Sequence, residues 1–509
     1  MESRPEGGSE KIFPGGQRME KRNMQEKIPL GERVKKAIGV KGDFKTAILP
    51  MINYSWANMY LAGAGYIISM YYMVFLTDVV HLSLELAGVS IMIATLWDAI
   101  TDPIMGIITD RTRSKTGRHR RYLMWGLIPM VISYTMMWNG FGLDGKAHPG
   151  ATMAYFTITY MIYKTAYTVI GVPHTAMLPE LAPEYDLRTQ YNSMGYLFNS
   201  AGMVPSFAIT VMILSIFGCN NDINSNAKAP FLIIGLVLSL LYCIAVFLTY
   251  RSVREPSSLD MVNPPLDVRG LINEYVQVFR NKSFRQYFFM SVAYQFSTGF
   301  YNNTKVYYIK YLANQYSLYA VHNAIAGVAE AAAFPLNYAL TMKHGKKKCG
   351  SIVTPLMVAG LAIGLFMQPE GSGASKFLWI ALMILSMVLY PFGMSGLGFV
   401  STNVFPDLTD VDEAITGRRR EGVLSTFNTL IKKSVGGVMT ALVGFALGGF
   451  GLVTGDAVTE YEKANGSLYP QTSTAVFGVR VCVAIIPIVA AIIALYLLQR
   501  FKMTKGDHT

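Results

Sequence analysis

The sequence predicts an all-α membrane protein of twelve transmembrane helices in two pseudo-symmetric six-helix bundles, and three observations predict it. The first is composition: of 509 residues, 52% are hydrophobic and only 15% are charged, where a soluble chain carries about a quarter charged residues. The deficit is uneven, since 231–250, 377–394 and 476–498 hold almost no charge. Each run matches the roughly 20 residues that cross a hydrocarbon core. Lipid admits only helices or closed barrels as spanning structures, and continuous apolar runs without a period of two select the helix. The second observation is that basic residues crowd into every second loop. The third is that each half repeats the same acidic and basic segments in the same register.

Taken in order, residues 1–44 are polar, charged and bear Gly and Pro, the composition of a disordered cytoplasmic tail. The predicted spans are 46–78, 84–109, 121–142, 150–175, 191–217 and 229–250, then 286–312, 318–342, 350–369, 376–404, 422–452 and 471–500. Residues 45–250 form the N-terminal bundle, 251–285 a cytoplasmic linker with an amphipathic stretch at Val268–Phe279, 286–500 the C-terminal bundle and 501–509 a cytoplasmic tail. Loop 2–3 carries Arg111, Arg113, Lys115, Arg118, Arg120 and Arg121, and loop 8–9 carries Lys343 and Lys346 to Lys348. The intervening loops near Lys146, Lys228, Lys376 and Lys463 hold one lysine each. By the positive-inside rule both termini are cytoplasmic and the span count is even. The net charge of +12 resides in those loops, so it calls for no nucleic-acid partner.

Loop 4–5 reads PELAPEYD from Pro179 and is followed by Arg188; loop 10–11 reads PDLTDVDE from Pro406 and is followed by Arg418 to Arg420. Both occupy the fourth connection of their half, as expected of a duplicated unit. Duplicated helical halves are a common transporter plan, with the substrate site between them near midplane. The four cysteines, Cys219, Cys243, Cys349 and Cys482, show neither metal-ligand spacing nor a disulfide framework.

The strongest local signal runs from Trp97 to Arg121. Asp98 and Asp102 are four residues apart and share a helix face. Each costs roughly 2.5–3.5 kcal/mol in hydrocarbon, and a cation between them removes both penalties. Pro103 frees the carbonyl of Ala99 on the same turn. Carboxylates with a spare carbonyl suit a hard monovalent cation, and shared protons serve equally well. Pairing of both acids with lysines in a structural network is the competing reading. Asp110 and Arg111 sit at the membrane face and are expected to make a gating contact between the halves.

Other charges fall inside spans: Lys164, Lys305, Lys310, Glu330, Lys432, Lys433 and Arg480. Such residues face the bundle interior by default. Lys432 and Lys433 point about 100° apart, so one at most faces a cavity squarely. Lys305 and Glu330 are an expected structural pair, and Lys310 and Arg480 are expected to snorkel at the outer face. Spans 1, 4 and 7 are rich in Tyr, Asn and Gln, including Tyr66, Tyr167 and Asn303. Aromatic faces and amides suit sugar rings, while interfacial belts and interhelical packing account for many tyrosines. No nucleotide-binding loop, zinc motif or hydrolase triad is present.

WDAITDPIMG from Trp97, TRSKTGR from Thr112, YTVIGVPHTAMLPEL from Tyr167 with Arg188, and GRRREG from Gly417 resemble the glycoside–pentoside–hexuronide:cation symporters. The likeness covers about 46–500. It implies a major facilitator fold, alternating access, and uptake of a glycoside or related sugar coupled to Na⁺, Li⁺ or H⁺. By that resemblance the cation site falls on Asp98, Thr101, Asp102 and Thr168. The helix 11 lysine falls on Lys433, with Asn428 and Thr429 one turn before it. A cytoplasmic network falls on Asp407, Asp410, Glu413 and Arg419, which with Asp110, Arg111 and Arg188 make the expected gate.

Three positions depart from the melibiose permeases: a sugar-binding acid falls on Gly171, an arginine on Gly195 and an acid near Ala62. Lysines appear instead at Lys164 and Lys305, which shifts the cavity positive and suggests an anionic sugar such as a uronate. The expected substrate set is therefore Tyr66, Lys164, Tyr167, Gly171, Lys305, Asn428, Thr429 and Lys433. The expected protein is a monomeric, non-enzymatic symporter of the cell membrane with no cofactor beyond the coupling Na⁺ or H⁺. A lysolipid or amphiphile carrier and a non-transporting receptor are the alternatives.

Overall fold

The computed structural model describes residues 48–182, 185–219, 223, 225–255, 257–258, 276–312, 318–366, 376–416, 421–465 and 469–500. Among these, the first six long helices are α1 Leu49–Ile67, α2 Leu84–Arg111, α3 Arg120–Met137, α4 Pro149–Ala176, α5 Tyr185–Ile216 and α6 Lys228–Ser252. They are followed by α7 Lys282–Tyr307, α8 Leu318–His344, α9 Lys346–Phe366, α10 Lys376–Thr416, α11 Glu421–Gly449 and α12 Ser473–Arg480. The last continues through a π-helical turn, Val481–Ile485, into Ile486–Arg500. A helix at Asp456–Asn465 stands where the sequence predicts only a loop. Most of the predicted amphipathic stretch Val268–Phe279 lies outside the described residues.

Seven of these helices (α2, α5, α6 and α9 to α12) are long and apolar enough to cross a membrane by length and composition alone. Two of the others, α4 and α7, carry part of the polar interior. α4 buries Tyr160, Tyr163 and Thr168, and α7 buries Ser291, Ser297 and Thr304. On α2 the division is plain. Trp97, Ile100, Ile104 and Ile108 are exposed, the stripe that faces lipid. Asp98, by contrast, is 1% exposed. Spacings of three and four residues put Ile91, Thr95, Asp98 and Asp102 on one inward stripe.

The N-terminal half is organised around Trp138, stacked on Phe231 with ring centres 5.3 Å apart and touching Tyr72 and Phe75 edge-on. A second core in the other half holds Tyr287, Tyr390, Met357 and Leu397. Small residues set the helix seams. A Cβ on Gly202 of α5 would lie 2.3 Å from the Met59 carbonyl of α1. One on Gly444 of α11 would lie 2.4 Å from the Leu84 carbonyl of α2, so the two halves meet backbone to backbone where α2 begins. Dispersion and close approach hold helices together in lipid, where apolar burial contributes little.

The first helix of each half ends alike. α1 runs on through π-helical segments Ile68–Tyr72 and Phe75–Val79, and α7 through Tyr308–Leu312. Each terminal segment carries one charge, and the two meet: Lys310 Nζ lies 2.5 Å from Asp78 Oδ2 and donates to the Ile223 carbonyl at 3.0 Å. This corrects the expectation that Lys310 snorkels outward. Its charge is neutralised by a buried acid from the other half, so it has no need to reach water.

Candidate functional site

A cavity of about 350 Å³ opens between the halves, lined by Ile68, Ser69, Tyr72 and Met73 of α1 and by Ile91, Thr95 and Asp98 of α2. Tyr160, Tyr163, Lys164 and Tyr167 of α4 complete one wall, and Asn303, Lys433 and Thr440 face them from α7 and α11. Its volume lies within the roughly 300–1,000 Å³ of small-molecule sites. The π-helical turn of α1 adds a residue to the helical repeat there, as π turns often do at functional sites.

Asp98, Lys164 and Lys433 meet at its wall, and Asp102 joins them from one turn along α2. Lys433 Nζ lies 2.9 Å from Asp98 Oδ2 and bonds Asp102 Oδ2 as well, so one ammonium bridges both carboxylates. Lys164 Nζ approaches the same Asp98 oxygen at 3.3 Å. Thr168 Oγ1 lies 3.0 Å from Asp98 Oδ1 and 2.8 Å from Asp102 Oδ1. Thr101 turns its hydroxyl to the Asp98 carbonyl at 3.2 Å and lies 3.5 Å from Thr168 Oγ1. Thr157, Lys164 and Thr168 are seven and four residues apart, which places them on the α4 face toward α2. Thr157 confirms the register by donating to Ser90 of α2 at 2.8 Å. Asp98, Thr101, Asp102, Thr168 and Lys433 are thus brought together, with a lysine ammonium between the two acids where the sequence reading sets a free cation.

The remaining expected substrate residues divide. Lys164, Tyr167 and Lys433 line the cavity. Tyr66 is outside the lining and packs edge-on against Phe207. Gly171 is also outside it, beside Leu61 and Tyr167. Lys305 donates to Asn323 of α8 at 2.8 Å. Glu330, the expected partner, is exposed and attracts Lys305 at longer range without a close ion pair. Asn428 accepts from the Tyr287 hydroxyl at 3.3 Å, and Thr429 is exposed. Of the adjacent lysines, Lys433 takes the inward direction. Thr95, Thr440 and Ser69 escaped sequence reasoning because small hydroxyls are common in helix seams; the inward stripe of α2 was the signal for Thr95.

At the opposite end of α2, the expected gate residue Asp110 reaches partners in its own half, with its carboxylate 4.0 Å from Arg118 and 3.9 Å from His119. Arg111 is exposed. The side chains of Arg188, Asp407, Asp410, Glu413 and Arg419 lie outside the described residues. A brace unforeseen in the sequence forms here. His119 Nδ1 lies 2.5 Å from Glu255 Oε1, with both side chains fully buried, and the Arg120 N–H donates to the same carboxylate at 2.9 Å. Burial works against a charge on His119, but the carboxylates of Asp110 and Glu255 outweigh it and raise its pKa above 6.5. Burial likewise favours neutral Glu255, yet the His119 ring and backbone N–H groups hold its pKa below 4.5. His119, Glu180 and Glu255 could offer a metal three ligand atoms within 4.8 Å of one another. Arg118 sits 2.7 Å from Glu180, however, and a cation inside the cluster makes it a self-paired brace.

Residues 54–505 match the family model described as MFS/sugar transport protein. The chain belongs to that family. Its membership bears out the resemblance to the glycoside–pentoside–hexuronide:cation symporters and the major facilitator fold. The chain is 25% identical to an uncharacterized symporter of Synechocystis sp., over 87% of this chain and 92% of the relative. It is 22% identical to the isoprimeverose transporter of Lactiplantibacillus pentosus, over 75% and 77%. It is 21% identical to a glucuronide carrier protein homolog of Escherichia coli, over 87% and 88%. The xylose transporter XylE of E. coli, in its inward-open conformation, superposes with a TM-score of 0.56 at 14% identity, over 90% of this chain and 97% of that one. The MFS/sugar transport protein described here is therefore a multi-pass membrane transporter and not an enzyme.

Proposed function

We propose that this transporter moves a sugar, glycoside or hexuronide by alternating access, in symport with Na⁺ or H⁺ bound at Asp98 and Asp102. One observation carries the reading. Lys433 of α11 bridges two acids of α2 beside the central cavity, so the same carboxylates serve as cation ligands and as the contact between halves. A cation that takes those oxygens, with Thr168 as a neutral ligand, must weaken the hold of Lys433 and Lys164 on them. Ion occupancy is thereby linked to how the halves sit, which is the differential affinity that coupling requires. The names of the relatives support a sugar or uronide as the solute. Four tyrosines around a cavity with amide and hydroxyl groups suit a ring with an apolar face and polar edges.

The alternation of basic loops supports cytoplasmic termini, and we assign the protein to the cell membrane as a monomer. Proteoliposomes test the reading directly. Wild type should concentrate at least one member of a neutral and acidic sugar panel on an imposed Na⁺ or pH gradient, and Asp98→Asn should not. Uphill uptake that survives Asp98→Asn, or that ignores both gradients, would remove the cation assignment.

A further inference from the structure

We propose that Lys164 is the residue that selects substrate charge: it leaves Asp98 when the coupling cation binds and takes the carboxylate of an anionic sugar. The inference rests on the symport reading above and adds to it a substrate class and a reason for obligatory coupling.

Charge balance is the first argument. The ion-paired cluster holds two acids, Asp98 and Asp102, and two lysines, Lys164 and Lys433. Its net charge is zero. A cation entering alone leaves one uncompensated positive charge at a site where Asp98 is 1% exposed. Such a charge is costly in a medium of low dielectric. A solute bringing one negative charge restores neutrality, so cation and anion each lower the cost of binding the other. A neutral sugar offers no such return.

Geometry decides which lysine is released. Lys433 holds Asp98 at 2.9 Å and bonds Asp102 besides, whereas Lys164 makes one approach, to the same Asp98 oxygen, at 3.3 Å. Lys164 is therefore the more weakly held of the two. It is also the better placed for a ligand, since its Nζ stands 5.5 Å from the Tyr160 ring centre and 5.8 Å from that of Tyr167. Both rings line the cavity. A carboxylate bound there would keep Lys164 paired while a sugar ring lies against the tyrosines. The other lysine in question, Lys305, is absent from the cavity lining and engaged with Asn323.

The test compares methyl-β-D-glucuronide with methyl-β-D-glucoside, probes that differ by a carboxylate, in equilibrium binding and in proteoliposome uptake by the full chain. In wild type, saturating Na⁺ (or low pH, if the proton couples) should tighten glucuronide binding by about tenfold or more, the scale of one charge-assisted hydrogen bond. It should do much less for the glucoside. Lys164→Gln should collapse the preference between the probes, and Lys164→Arg should retain it, which separates lost charge from lost folding. Preference unchanged in a folded Lys164→Gln protein, or glucoside favoured by wild type, overturns the inference while leaving symport intact. Wild type that binds neither probe under any cation condition overturns the inference, and wild type that concentrates no member of the sugar panel on either gradient overturns the symport reading as well.

Discussion

Lys433 Nζ lies 2.9 Å from Asp98 Oδ2, and this ion pair joins α11 of one half to α2 of the other. Removing either partner leaves a charge stranded between helices. Lys433→Ala should cost stability toward the lower end of the roughly 3–5 kcal/mol seen when a buried pair loses one member, since Lys433 is 25% exposed. Added Na⁺, or lower pH, should recover more Tm in this variant than in wild type, because the acids gain a substitute cation. Thermal unfolding in detergent with and without Na⁺ at several pH values reads this out. Equal responses in both proteins would mean that no ion enters the space Lys433 leaves.

Asp102→Asn should separate the two duties of the acid pair. One carboxylate remains for Lys433, so the halves stay tied, but the cation loses a ligand. Gradient-driven accumulation should disappear, while exchange of labelled for unlabelled solute at equal concentrations continues. Counterflow in the same vesicles measures both. Loss of exchange along with accumulation would make Asp102 structural.

At the other end of the bundle, Asp78 and Lys310 join the π-helical ends of α1 and α7. Asp78→Asn should weaken that closure and raise the open fraction by about tenfold for each ~1.4 kcal/mol lost. Thr77, 3% exposed and beside the pair, reports it. A Thr77→Cys probe, with the four native cysteines replaced by serine, should react faster with an impermeant maleimide when Asp78→Asn is added. An unchanged rate would assign the closure to the Gly444–Leu84 seam alone.

The His119–Glu255 brace predicts a pH profile. A group with a raised pKa, such as His119, contributes stability in full below its ordinary 6.5 and loses it as pH climbs through the raised value. Glu255, with a lowered pKa, contributes above its ordinary 4.5 and loses that as pH falls through the lowered value. Arg118, Asp110 and Glu180 face the same cluster. The His119-dependent part of Tm should therefore be fullest between those ordinary values and decline on the alkaline side. His119→Gln should remove that alkaline decline. Parallel profiles in the two proteins would place the pH dependence elsewhere.

Much of this was legible in the residues in order. Apolar runs of spanning length, basic loops at every second connection and a repeated acidic segment determine a helical membrane chain of duplicated plan, because lipid tolerates so few backbone arrangements. The spacing of Asp98 and Asp102 determines that they share a face, while the structure shows that Trp97, Ile100, Ile104 and Ile108 form the exposed one. Tertiary structure alone decided who meets them. Asp102 and Lys433 are 331 positions apart, Asp78 and Lys310 are 232 apart, and His119 and Glu255 are 136 apart. No helical period extends so far. Charge partners in lipid are chosen by which helices cross and where, so Lys310 turns inward to Asp78, Lys305 finds an amide, and Tyr66 packs against a phenylalanine while Tyr167, on another helix, faces the cavity.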